Sequence, residues 1–223
     1  MLHDPRVPGW SFKKYSEASI LGASSFFVLA LTAVIFSPGL LPGVVFAVSL
    51  LLWSVVIYFF RDPDRFITPM PQVFFSPGDG VVNDITTIRE EDLDFVRVGI
   101  FLSVFNVHVQ RAPMAGEVDY INHQIGKNYP AYDPAASLEN DQIVMGIKTK
   151  YGMVIVKQIS GILARKCINY ARPGDHIQTG QRYGLIKFGS RVELYLPTDV
   201  KILCSVGDKV KGGLSIIAEM SGI

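Results

Sequence analysis

Charge is what this sequence has least of, and its absence is local. Only 18% of the 223 residues are Asp, Glu, Lys or Arg, and residues 18–60 contain none. The formal net charge is +1, so there is no basic field to attract a polyanion, and nucleic acid is excluded as a natural partner. Cysteine is scarce too: Cys167 and Cys204 form no C-x-x-C pair and no cluster with histidine at zinc-like spacing. Two reduced thiols fit this pattern, and a disulfide between them stays open. There is no low-complexity tract and no long run of like charge.

What fills the uncharged stretch is apolar. It contains Ala18 to Phe36, then a Pro/Gly turn, Ser37-Pro38-Gly39-Leu40-Leu41-Pro42-Gly43, then a second apolar segment from about Val44 to Phe60 with Trp53 and Tyr58 toward its end. A bilayer core needs roughly 20 apolar residues in a helix, and Trp and Tyr gather at interfaces. The pattern predicts two transmembrane or membrane-inserted helices over residues 18–60. A signal peptide fits poorly, because the first run starts late and a second follows; a pair of buried core helices is the other alternative. Arg6, Lys13 and Lys14 precede the apolar part and Arg61 and Arg65 follow it. By the positive-inside rule both ends face the cytoplasm. That predicts a cytoplasmic segment over 1–17 and a domain over 61–223 on the cytoplasmic side of the cell (inner) membrane. Pro63 stops the second helix, and Arg61 and Arg65 are candidates for contact with phosphate headgroups.

From Pro69 onward the chain reads as short strands separated by Gly and Pro, which predicts a mainly β domain, a sandwich or barrel. Residues 128–140 read as a loop. Two turn types recur. Ser76-Pro77-Gly78-Asp79-Gly80-Val81-Val82 is echoed by Ala112-Pro113-Met114-Ala115-Gly116-Glu117-Val118, and Gly174-Asp175-His176-Ile177 by Gly207-Asp208-Lys209-Val210. Turns of this kind resemble those of duplicated lipoyl-like hybrid motifs, and the echo predicts two intertwined, similar halves.

Three places in this domain carry candidate chemistry. His108 lies between a strand and the second Pro-x-x-Gly turn, where catalytic groups are commonly presented. Asp79 lies in a Pro-Gly-Asp-Gly turn, where it either bonds its own backbone or orients a neighbouring group. Near the C-terminus, two strand-like runs flank Gly189-Ser190. A glycine in a strand marks a bulge, a bend or a close approach. A bulge with an incidental serine fits these residues, and so does a hydroxyl placed to attack the Gly189 carbonyl.

Taken together and in order, the apolar hairpin, Ser76-Pro77-Gly78-Asp79-Gly80, Phe105-Asn106-Val107-His108-Val109-Gln110-Arg111-Ala112-Pro113 and Phe188-Gly189-Ser190 resemble the phosphatidylserine decarboxylase family, in its short branch, over nearly the whole chain. Phe188-Gly189-Ser190 stands where longer members carry Leu-Gly-Ser-Thr. The resemblance implies a proenzyme that cuts itself between Gly189 and Ser190 by serinolysis. The products are a β chain, 1–189, and an α chain, 190–223, that begins with a pyruvoyl group made from Ser190. That ketone would form a Schiff base with the substrate amine, with no metal and no pyridoxal phosphate. The resemblance implies decarboxylation of phosphatidylserine to phosphatidylethanolamine and CO2, with His108 as proton donor and Asp79 in support. Arg111 stands where longer members have a second histidine, and is a candidate for binding the substrate's phosphate or carboxylate. The implied partners are the phospholipid, the membrane and the sister chain; a homo-oligomer is compatible with all of this. Two alternatives remain: the same chemistry on archaetidylserine, and a membrane-anchored lipoyl-like adaptor that binds and does not cut.

Overall fold

A computed structural model describes residues 12–90, 93–131, 133, 135–162, 166–186 and 189–221. His3, Arg6, Arg165 and Phe188 lie outside the described residues, as do the side chains of Lys13 and Lys14. Among the described residues the chain forms two compact units, one within Ser11–Asp62 and one within Pro63–Ile223.

The smaller unit is a pair of helices, α1 (Phe12–Phe36) and α2 (Leu40–Phe59). Helix α2 starts before Val44 and takes in Pro42. A proline is tolerated in a first turn because the N–H groups there have no intrahelical partner. The helices pack through Phe27, whose ring lies 5.6 Å from that of Phe46 and 5.4 Å from that of Trp53. Trp53 Nε1 also donates to Ser24 Oγ at 3.0 Å. Both helices are long and apolar enough to cross a membrane, and only 6% of each candidate span is buried. That rules against the alternative of buried core helices, which hide most of their surface.

The larger unit holds, in chain order, β1 (Val73–Phe75), β2 (Gly80–Glu90), β3 (Leu93–Leu102), β4 (Val109–Arg111), β5 (Gly116–Gln124), a one-turn helix α3 (Ala136–Glu139), β6 (Gln142–Thr149), β7 (Gly152–Ile159), β8 (Cys167–Asn169), β9 (His176–Ile177), β10 (Arg182–Ile186), β11 (Ser190–Pro197), β12 (Val200–Ile202), β13 (Lys209–Val210) and β14 (Ile216–Met220). The long sheet runs β13-β2-β3-β11-β7-β6-β5-β9, and two small sheets run β1-β14-β12 and β4-β10-β8. These orders are the same pattern written twice. Strands β1, β2, β3, β11, β12, β13 and β14 form one copy, and β4 to β10 form the other. The copies meet at the β11/β7 ladder. The short strands β4, β8, β9 and β13 have two or three residues each, too little alternation to read in the sequence.

The recurring turns do the same job in each copy. Gly207 N and Val82 N donate to Val82 O and Asp208 O at 2.7 and 2.9 Å; Gly174 N and Val118 N donate to Val118 O and Asp175 O at the same 2.7 and 2.9 Å. Gly174 and Gly207 have φ of +89° and +99°, a region where a side chain is strained.

The second copy is inserted into the first. Its β6 and β7 are joined by a tight hairpin over Lys150 and Tyr151, with Thr149 across from Gly152. The matching pair in the first copy is β3 and β11, with Leu102 across from Ser190. There the turn is replaced by the whole second copy, which leaves at Ser103 and returns at Gly189. The Gly189–Ser190 bond is therefore the join between the copies.

Both copies share one core. Ile100 and Leu102 of β3, Val154 and Val156 of β7, and Val192, Leu194 and Leu196 of β11 are buried in one cluster. Each such side chain contributes about 1.5–3 kcal/mol by leaving water. Ser190 has the parity of Val192 and so points into the same interior.

The matched turns give a test of the duplication. Gly174→Ala and Gly207→Ala are each expected to cost about 1–3 kcal/mol through backbone strain, and to agree within about a factor of two, when the full chain is unfolded in denaturant. A large cost at one position and none at the other would show that the turns are not equivalent.

Candidate active site

Ser190 opens β11 at one end of the long sheet. It is fully buried, and its Oγ has no hydrogen-bond partner among the described residues. An unsatisfied buried hydroxyl costs about 1–3 kcal/mol, so this hydroxyl is buried at the expense of stability. Gly189 precedes Ser190 with φ +60°, a left-handed conformation that favours glycine. The Gly189 carbonyl rests on Gly161, the second residue after β7. A Cβ on Gly161 would stand 2.2 Å from Gly189 O and 3.3 Å from Gly189 C, so only glycine fits there. The register that puts Arg191 across from Ile159 brings Ser160 next to Ser190, and Ser160 Oγ is also buried with no partner among the described residues. Sequence reasoning missed both Ser160 and Gly161; the one visible signal was a Ser-Gly pair at the end of a strand.

Ser160 and Gly161 are held from behind by Asn140. Its Nδ2 donates to Ser160 O and Tyr129 O at 2.8 Å each, and its Oδ1 accepts from Tyr129 N at 2.7 Å. On the other face of β11, Glu193 is fully buried. Its Oε1 accepts from Arg191 Nε at 2.8 Å and Ser137 Oγ at 2.7 Å, and its Oε2 accepts from Tyr195 OH at 2.7 Å. Arg191, the residue after Ser190, also reaches Asp84 Oδ2 at 3.3 Å. This network fixes the start of β11 by its outer face.

His108 sits in the loop that leaves β3 at Leu102, the residue across from Ser190. Asn106 shapes this loop: its Oδ1 accepts from Ser103 N at 2.9 Å and from Ser103 Oγ at 2.8 Å. The imidazole is 2% exposed, and its Nδ1 lies 2.9 Å from Asn106 O. A carbonyl can only accept, so Nδ1 carries the proton and Nε2 is the basic nitrogen. His108 O in turn accepts from Ile186 N at 3.3 Å. That ties the loop to the end of β10, the strand that leads into Gly189.

Asp79 precedes β2 at the same end of the sheet, since Val81 lies across from Phe101. Its carboxylate is claimed by Arg65, with NH1 to Oδ1 at 2.7 Å and NH2 to Oδ2 at 2.8 Å, and by Gly212 N at 2.8 Å. Arg65 NH1 also donates to Gly212 O at 2.5 Å. The structure thus brings the two sequence candidates Asp79 and Arg65 together as each other's partners. Arg111 is buried and donates to Gly180 O at 3.1 Å and to Pro63 O at 3.0 Å. Across the ladder from it, buried Arg182 donates to Asp64 Oδ1 at 2.8 Å and Pro63 O at 3.3 Å. Three arginines therefore fasten residues 63–65. Arg182 was missed, although an arginine inside an otherwise apolar strand was a signal that it had a buried partner. Arg61 belongs to the helical unit, where its guanidinium covers the Tyr58 ring at 3.8 Å and donates to Tyr58 O at 2.7 Å.

Other features lie apart from this chemistry. Both cysteines are free thiols; burial, then the Asp141 carboxylate, hold the Cys167 thiol well above its ordinary pKa. No group of three or more His, Cys, Asp and Glu among the described residues could hold a metal ion. An open cleft of about 670 Å³, lined in part by Met114, Lys148, Tyr151 and His176, lies at the β6–β7 hairpin, the opposite end of the sheet from Ser190.

A family model described as phosphatidylserine decarboxylase matches residues 52–218. A phosphatidylserine decarboxylase proenzyme from Carboxydothermus hydrogenoformans is 42% identical over 176 residues, covering 77% of this chain and 83% of that protein. One from Nitrosomonas eutropha is 36% identical over 215 residues, covering 95% and 93%. A putative archaetidylserine decarboxylase proenzyme from Methanococcoides burtonii is 38% identical over 197 residues, covering 86% and 90%.

The Asp79–Arg65 pair is testable as a structural element. Both side chains are at least nine-tenths buried. Arg65→Leu strands the carboxylate and is expected to cost about 3–5 kcal/mol in denaturant unfolding. Arg65→Leu with Asp79→Asn, which keeps an acceptor for Gly212 N, recovers much of that loss. No recovery in the double variant would mean that the carboxylate is not what Arg65 stabilises.

Proposed function

The chain belongs to the phosphatidylserine decarboxylase family, and from that premise we propose that it is a self-processing proenzyme whose Ser190 becomes the pyruvoyl group of a lipid decarboxylase. The reaction is removal of CO2 from phosphatidylserine to leave phosphatidylethanolamine. One observation carries the assignment of the site: a buried, unbonded serine hydroxyl directly follows a left-handed glycine whose carbonyl is packed on Gly161. The relatives named above are all proenzymes, which favours processing over the binding-only reading.

Self-cleavage follows from these groups. His108 Nε2 takes the Ser190 hydroxyl proton, and Oγ adds to the Gly189 carbonyl carbon. The C–N bond breaks, the freed Ser190 nitrogen takes the proton, and an ester joins Gly189 to Ser190 Oγ. Loss of the Ser190 Cα proton with breakage of the Cβ–O bond releases Gly189 as a carboxylate and leaves dehydroalanine. Water then replaces its nitrogen, ammonia departs, and a ketone remains. Gly161 keeps the reacting carbonyl in place, and Arg191, bound to Glu193 and Asp84, anchors the new terminus.

The surroundings fit a pyruvoyl group at position 190: the residue is fully buried, and its strand pairs with β3 from Ser190 and with β7 from Arg191. Such a group supplies a ketone that captures the substrate amine and accepts the electrons left when CO2 departs. The protein's part is to orient the headgroup, exclude water and deliver a proton to the carbon that lost CO2, and His108 is the donor. The contacts of Arg65 and Arg111 favour fastening residues 63–65 as their role. Small and large chains stay together because β11 lies between β3 and β7, β13 adds to β2, and β14 adds to β1. The two apolar helices suit a substrate whose acyl chains remain in a bilayer. The basic residues Lys13, Lys14, Arg61 and Arg65 flanking them favour the inner face of the cell membrane.

Intact mass is expected to show two chains parted between Gly189 and Ser190, the smaller blocked at its N-terminus by a carbonyl that borohydride reduces. Ser190→Ala is expected to give one chain of 24.6 kDa without decarboxylase activity. An active uncut chain sinks the proposal. Gly161→Ala is expected to slow cleavage about a hundredfold by displacing the Gly189 carbonyl, followed by mass over time. Cleavage of that variant at the wild-type rate removes Gly161 from the site.

A further inference from the structure

The loops on both sides of Ser190 end in exposed apolar side chains. The 103–108 loop leaves β3 at Ser190's neighbour Leu102, and its tip carries Val104 and Phe105, the latter 67% exposed. The loop after β7 leaves next to Arg191 and carries Ile162, 55% exposed. Ile125 after β5 and Leu138 in α3 are 85% and 73% exposed, and they belong to this end too, because β6 begins at Gln142, across from Ile159. At the other end of the sheet, among the described residues, Leu93 and Met70 are the exposed large apolar side chains, 55% and 40% exposed. The asymmetry is too large for scattered surface apolar residues.

Two further observations identify what covers these tips. First, the sequences of residues 103–108 and 160–166 contain no acidic residue, and Lys166, at the end of the second loop, is exposed. Apolar tips on loops without acidic residues, with a lysine at the end of one, match an anionic lipid surface. Second, the chain enters this unit at residues 63–65, which are fastened to Asp79 and to Gly212 beside β2's start at that same end. Phe66 follows, 83% exposed. The segment that leads from the apolar helices thus joins the unit at the end where Ser190 lies.

We infer that Phe105, Val104 and Ile162, with Lys166, form a bilayer-contact surface that seats the Ser190 end of the sheet on an anionic membrane. This rests on the reading of the chain as a lipid decarboxylase. It adds that the headgroup reaches the site through these tips, with little displacement of the lipid from its leaflet. The docking surface is separate from the groups that perform the chemistry.

The test uses the full chain, with Trp10→Phe and Trp53→Phe to clear the background, in vesicles of phosphatidylglycerol and phosphatidylcholine whose acyl chains are partly brominated. Reporters Phe105→Trp and Ile162→Trp are expected to be quenched by at least about twofold more than Leu93→Trp, as interfacial burial to a depth of several ångströms requires. Equal quenching of all three overturns the inference. So does emission that follows protein concentration at fixed lipid, which would assign the surface to a second copy of the chain. Hydrogen exchange of the unsubstituted protein gives the same answer without reporters: amides of residues 104–107 and 161–162 slow in anionic vesicles and not in detergent, and unchanged rates overturn it. Mass measurement of the same samples reports self-cleavage, so failure of the docking surface and failure of the proposed chemistry are read separately.

Discussion

The two-sided ladder of β11 is the constraint on which the rest depends. If the chain is cut between Gly189 and Ser190, as proposed, it must survive the break, and a strand at an edge would be free to leave. β11 is central: Ser190 to Pro197 pair with β3, and Arg191 to Tyr195 pair with β7 as well. The duplication explains how a central strand came to begin at a dispensable bond. Where one copy has a tight hairpin, the other has an insertion that returns at Gly189. Cutting that return removes a covalent link and no ladder hydrogen bond. The new ends are held by a ladder and a core that were complete without the link.

Buried charge serves the same end. Taking Arg191 and Glu193 out of water is costly, and such pairs add little net stability over a well-packed apolar pair. What they supply is position. Glu193 accepts from three side chains, one from the strand residue after Ser190, one from α3 and one from Tyr195. The residues that follow Ser190 are thereby fixed against a neighbouring helix. The clamp of Arg65, Arg111 and Arg182 on residues 63–65 does the corresponding job at the other boundary, where the chain passes from the apolar helices to the sheet. In both places a flexible junction is fixed by fork-shaped donors on backbone carbonyls and carboxylates, contacts whose geometry allows little slippage.

How far this was legible in the sequence depends on the range of the interaction. The helical hairpin was legible because absence of charge over 18–60 is a local signal. Most of the longer strands were legible from β-branched runs. The duplication showed in two turn types, because Gly174 and Gly207 need a backbone that only glycine adopts easily, and the same need leaves the same residue. His108 and Gly189-Ser190 are singled out by their company in the chain. The roles of Arg65 and Arg182 were not legible: each is set by a partner brought in from a distant turn or strand. Asp79 reads as a turn residue, and nothing near it in sequence announces the Gly212 amide. Gly161 was the deepest omission. Its meaning is an empty space where a Cβ would meet Gly189 O, and a space between two distant backbones leaves no local pattern.

Burial also bears on which product the proposed cleavage gives. An ester between Gly189 and Ser190 Oγ has two fates. Hydrolysis would return a serine with a free amine and no ketone, leaving a nicked and inactive chain. Elimination gives dehydroalanine and then the ketone. The two begin differently, since hydrolysis needs water at the carbonyl carbon, whereas elimination needs a base at the Ser190 Cα. Ser190 is fully buried, and the Gly189 carbonyl is backed by Gly161 with no room for a methyl group on that side. Gly189 itself is half-buried, so in the proposed cleavage the choice rests on the Ser190 Cα, which the ladder holds in place, rather than on exclusion of water from the ester carbon. The burial that makes the hydroxyl costly also keeps the Ser190 Cα, and with it the C–H bond that the proposed elimination must break, in one place.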